Sequence, residues 1–123
     1  MVGDMRNVIC IIAIVVAGSL SAMAQTTNKG MDRIDACKQN YHTLFGGEAL
    51  TGEGTDPEMM EMLQKFIFGE VFQTGDLTLK QREMITCITL ATMQTLPQLK
   101  AHAGAALNVG VTPEELREVM YLT

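Results

Sequence analysis

Residues 77–110 read LTLKQREMITCITLATMQTLPQLKAHAGAALNVG, and their pattern is that of a helical hairpin. Met84, Ile85, Cys87, Ile88, Leu90, Ala91 and Met93 follow one another with hardly a polar face between them. A helix with no wet side belongs in the interior of a bundle, and in so short a chain the surface covering it is expected to come partly from another subunit. Thr78 with Gln81 has the form of a capping box that would start this helix. Thr95 with Gln98 repeats the form, and Pro97 suits the first turn of the next helix. That helix is predicted to run to about Asn108 and to stop at Gly110. It carries Ala101, Ala103, Gly104, Ala105 and Ala106, small residues that let a neighbouring helix approach closely. Two polar residues stand out against this apolar hairpin, Glu83 and His102.

Upstream, Ile34, Cys37, Tyr41 and Leu44 recur at three- and four-residue steps, which predicts an amphipathic helix over 31–44 ended by Gly46 and Gly47. Residues 48–55 are rich in Gly and Thr and read as a loop. Asp56-Pro57 is a start signal for a second helix. Its apolar face is expected to hold Met59, Met60, Leu63, Phe66, Ile67 and Val71. Glu61 and Lys65 form a favourably oriented pair on the other side. Thr112-Pro113-Glu114-Glu115 starts a last helix, 114–122. Its stripe of Leu116, Val119, Met120 and Leu122 still faces outward at Thr123, so its cover is expected from another chain or from further sequence. No strand of convincing length, internal repeat or Gly-rich phosphate loop occurs. The class is all-α.

The chain has 123 residues, enough for one domain, and a formal net charge of −5. Its cations are scattered singly, which disfavours a nucleic-acid partner and a polybasic membrane patch. The ten methionines read first as flexible core filler, and second as the lining of an adaptable apolar groove. The uncharged run Val8–Val16, preceded by Arg6 and followed by Ser21-Ala22-Met23-Ala24, has the pattern of a signal peptide cut after Ala24. It is short of the about 20 apolar residues of a membrane span. Residues 1–24 are therefore expected to be a leader, with membrane contact only if it stays uncleaved. Residues 25–55 would then form an N-terminal helix and loop, residues 56–123 the main unit, and the protein would be periplasmic or extracellular. Loss of Cys10 would leave Cys37 and Cys87, which can pair in an oxidising compartment or stay buried as small hydrophobes.

His102 is the first candidate for chemistry, because an imidazole moves protons near neutrality and the small residues beside it leave space for a ligand. Glu83 is the second. As a first-turn glutamate it would complement the helix dipole in water. Buried, it would serve as an acid or base. There is no CxxC, no Ser-His-Asp arrangement with motif context, and no metal-ligand spacing between His42, His102 and the cysteines. His42 reads as a charge partner for a helix C-terminus.

The stretch Leu77–Glu83 (Leu-Thr-x-x-x-Arg-Glu), the long apolar helix and HAGAALNVGVTPEELREV from His102 to Val119 together resemble the carboxymuconolactone decarboxylase family, which includes the alkylhydroperoxidase D-like proteins. The resemblance runs from about Phe68 to Leu122. It implies an all-α bundle built round a central helical hairpin, and assembly as a homo-oligomer, a trimer or hexamer. It implies that Glu83 and His102 stand where the peroxidase branch has the Glu and His of its proton relay. The two cysteine positions of that relay carry Thr95 and Gln98, which become candidate substrate-binding residues. The decarboxylase branch lacks CxxC and keeps the His. The resemblance therefore implies a lyase, free of metal and cofactor, that acts on a small carboxylated lactone or related acid, with His102 as acid/base and Glu83 orienting it. Two readings remain beside it: a thiol-dependent peroxidase (peroxiredoxin-type activity) using Cys87 or Cys37, and a non-catalytic oligomeric ligand-binding protein.

Overall fold

The computed structural model describes residues 30–123, so the expected leader, its cleavage site and Cys10 lie outside the described residues. Among the described residues there are five helices and no strand: α1 (Arg33–Phe45), α2 (Pro57–Gly69), α3 (Leu79–Thr92), α4 (Leu96–Asn108) and α5 (Pro113–Met120). A single 3-10 turn, Val71–Gln73, joins the α2 end to the loop before α3. No helix among them is long and apolar enough to cross a membrane.

Local chemistry starts and stops these helices much as the residue pattern predicts. The Asp32 carboxylate accepts from the Ile34 N–H (2.9 Å) and Asp56 accepts from the Met59 N–H (3.1 Å), each satisfying an orphan donor of a first turn. Thr78–Gln81 and Thr112–Glu115 both close as reciprocal capping boxes. Thr95–Gln98 does not: the Thr95 hydroxyl turns back to donate to the Leu90 carbonyl (3.2 Å), leaving α4 without a side-chain cap. The tight α3–α4 link explains the difference. Gln94 takes a left-handed conformation (φ 58°), and the Thr95 N–H closes the end of α3 on the same Leu90 carbonyl. Gly46 ends α1 at φ 71°, where a side chain would be strained.

Two apolar clusters hold the bundle. Cys37, Leu44, Ala49, Phe68 and Ala105 form the first, between α1, α2 and α4, with Tyr41, Phe45 and Phe72 packed round it. Cys87, Ala106 and Val111 form the second, between α3, α4 and α5, with Met84, Leu99 and Leu116 at its edge. Ala105 and Ala106 are consecutive on α4, so this one helix faces both clusters. Within the lone chain the third helix is not the most covered one, as expected if part of its cover comes from another subunit. α3 buries only Glu83 and Cys87; it leaves Ile85 exposed, as is Met93 at its C-cap. α4 takes the middle because its alanines let two other layers close on it.

The second helix also departs from expectation. Met59, Met60, Leu63 and Phe66 are exposed, and only Phe68 and Gly69 are buried. α2 meets α1 chiefly through its C-terminal end. There Gly69 lies so near the Arg33 carbonyl and the Cys37 Cβ that no side chain fits. The Asn40 amide donates to the Phe68 carbonyl (2.7 Å) at that crossing, satisfying a carbonyl at the end of α2. Cys37 and Cys87 are both free thiols, in different clusters, so the two do not pair.

Candidate functional site

Glu83 lies one turn inside α3, and its side chain is 0% exposed. Of the two readings open for this position, solvated or buried, packing selects the second. α4 crosses α3 directly over it, and the hairpin brings His102 against it. His102 Nδ1 lies 2.8 Å from Glu83 Oε2. With Glu83 ionised the carboxylate can only accept, so the tautomer that makes this bond carries its proton on Nδ1 and leaves Nε2 as the working nitrogen. The imidazole is 23% exposed, so solvent or a small molecule still reaches it.

Three further features shape the pair. The Phe45 ring on α1 meets the imidazole edge-on, with centroids 5.4 Å apart and planes at 82°, which helps hold the ring in place. Glu83 Oε1 is buried and has no hydrogen-bond partner. An unpaired buried oxygen costs about 1–3 kcal/mol, so this carboxyl is held at a price in stability. Cys87 sits one turn beyond Glu83, 0% exposed. Burial first, and then the negative charge of Glu83, push its thiol up to about 11. Such a thiol stays protonated and is a poor nucleophile.

The sequence-predicted site residues are thus only partly assembled. Glu83 and His102 touch. Thr95 is half-buried and spends its hydroxyl on Leu90; Gln98 is exposed, one helical turn before His102. Neither bonds to the pair. Phe45, the third wall of the site, is far away in sequence and carries no local signal that marks it. Cys87 could have been placed from its i,i+4 spacing to Glu83. His42 is in the last turn of α1, as a C-terminal charge partner would be. Among the described residues no three His, Cys, Asp or Glu side chains gather as a metal-ligand set.

The arrangement can hold and move one proton at Nε2 with a fixed negative group behind it, which is what general acid–base catalysis requires. Comparison with known proteins adds one finding: the sequence profile of the Carboxymuconolactone decarboxylase family matches residues 57–123, more than half of the chain, from the first residue of α2 onward. No curated protein and no solved structure matches.

Proposed function

The chain belongs to the carboxymuconolactone decarboxylase family, and on that premise we propose that Glu83 and His102 are the acid–base machinery of a cofactor-free lyase that decarboxylates a small carboxylated lactone or related acid. The observation that carries this reading is the buried Glu83 carboxyl bonded to Nδ1 of a partly accessible imidazole. In the proposed step the bond between the substrate carbon and its carboxylate breaks. The electron pair moves into the conjugated lactone and carbon dioxide leaves. The His102 Nε2–H then delivers a proton to carbon, and water reprotonates the ring before the next turnover. The balance is one carbon dioxide released and one proton consumed. Glu83 stabilises the imidazolium and holds the ring in one orientation.

Purified protein assayed for carbon dioxide release from a carboxylated lactone tests the reading. His102→Gln should lose about 10²–10⁴ in rate, the usual contribution of one acid–base group. Equal turnover in wild type and variant would remove His102 from the reaction. Peroxide reduction is less well supported: Cys87 is buried with its thiol raised, and Thr95 and Gln98 hold the positions where the peroxidase branch has its pair.

The proposal includes two properties of the whole protein. It is exported, which amino-terminal sequencing of the secreted form would check by starting at Gln25. It also assembles into a homo-oligomer, a reading supported by the exposure of Ile85, Met93 and Leu107 and checked by its mass in sedimentation.

A further inference from the structure

Most cations among the described residues are engaged. Arg33 pairs with Glu70, Lys65 with Glu61 and Lys80 with Glu115, while Arg82 gives its guanidinium to the Leu77 and Thr74 carbonyls. Lys38 and His42, like Lys100 and Arg117, make no such pair among the described residues. They stand four residues apart on one exposed stripe of α1, and both line a cavity of about 450 Å³ beside the loop that follows the helix.

The opposite wall is held in shape. Ala49 is buried in the first apolar cluster. Leu50 takes φ 61°, a conformation a leucine adopts only when its surroundings impose it. Its N–H is pinned by Gln64 Oε1 on α2 at 2.8 Å. A strained residue anchored by a neighbouring helix gives a preformed wall, and such residues concentrate where ligands are held. The cavity thus offers two cationic or N–H donors on one side and an apolar floor at Ala49 and Leu50. Glu48 also lines it.

We propose that this cavity binds a small monocarboxylate with a short apolar body, Lys38 and His42 donating to the carboxylate and Ala49 and Leu50 covering the body. Glu48 repels a second negative group, which restricts the ligand to one. The inference stands on this cavity alone and is independent of the reading given to Glu83 and His102.

The chain has two histidines, so proton NMR of the untagged full chain shows two imidazole Hε1 lines, assigned by the His42→Gln variant. Sodium butanoate is titrated in, with butanamide as the uncharged control. The His42 line should move and saturate with butanoate only, while the His102 line stays in place. Lys38→Met should weaken the apparent affinity about threefold and Glu48→Gln should tighten it by a similar factor, as expected for partly exposed charge pairs. Equal shifts with butanamide, movement of both lines together, or no movement at all would each overturn the proposal.

Discussion

Replacing Glu83 by methionine should make the folded chain more stable while abolishing its acid–base chemistry. Methionine is similar in length to glutamate and adapts to irregular apolar space. The substitution removes the orphaned Oε1, worth about 1–3 kcal/mol of relief. It also removes the bond to His102 Nδ1, a loss of about 1.5–3 kcal/mol if that bond is charge-assisted. Against this stands the return of His102 to water, which its 23% exposure allows, and the recovered cost of burying an ion, several kcal/mol in real proteins. The first two terms nearly cancel, so the recovered cost of the buried ion sets the sign: a gain of about 1–4 kcal/mol, the range found where a buried ion pair gives way to apolar groups, with each kcal/mol raising Tm by about 4–8 °C for a domain of this size. The opposite truncation is not symmetric. His102→Ala leaves a fully buried carboxyl with both oxygens unpaired and should cost about 3–5 kcal/mol. The double variant should recover most of that loss, since nothing charged is then left inside. Thermal and urea unfolding of the four proteins followed by circular dichroism supply the cycle. If Glu83→Met destabilises as much as His102→Ala, the carboxyl is a net support of the fold, and its assignment as a functional acid loses its physical basis.

Gly69→Ala should destabilise by about 1–3 kcal/mol, because the new methyl meets the Arg33 carbonyl and comes within 3.3 Å of the Cys37 Cβ, atoms that cannot swing away; a fall in urea midpoint at unchanged slope checks it. In a Cys10→Ser background, Cys37 and Cys87 should resist a disulfide reagent at neutral pH in the folded protein and react fully in denaturant, since both are buried and both thiols are pushed up by desolvation. The raised Cys87 thiol also has a linkage consequence: its contribution to stability is fully present below pH 9 and is lost as pH rises through about 11. Cys87→Ala should flatten that alkaline limb of the stability curve. Glu115 is held below the ordinary carboxylate range by the Lys80 ammonium and then by the Thr112 N–H. Its contribution is present above its unfolded value and fades as pH falls through the lowered one, so Lys80→Met should weaken the acid dependence of unfolding.

Most of the helical layout was legible in the chain before any packing was known. Asp56-Pro57, Thr78–Gln81 and Thr112-Pro113 mark their helix starts, because the groups that satisfy a first turn lie within three residues of it. The same local logic failed at Thr95, where the turn from α3 claims the hydroxyl before the next helix can use it. Nor does it say which helix the lone chain buries most. Residue polarity favoured α3, but side-chain size decided the matter: Ala105 and Ala106 give α4 the slimmest profile, so both clusters form against it.

For the site, the pattern named the two residues and the family resemblance set them in one relay, but their burial and contact were decided by tertiary structure. Periodicity along a helix shows which face a side chain occupies, and a glutamate near a helix start looks the same whether water or another helix lies over it. Only the crossing of α4 over α3 removes Glu83 from solvent, brings Nδ1 to 2.8 Å and leaves Oε1 unpaired. Phe45 reaches the imidazole from α1 by the same route. The helix starts follow from groups a few bonds apart, which the order of residues specifies directly. The acid, the imidazole and the ring come from three different helices, and their meeting depends on how the whole set of small and large side chains packs.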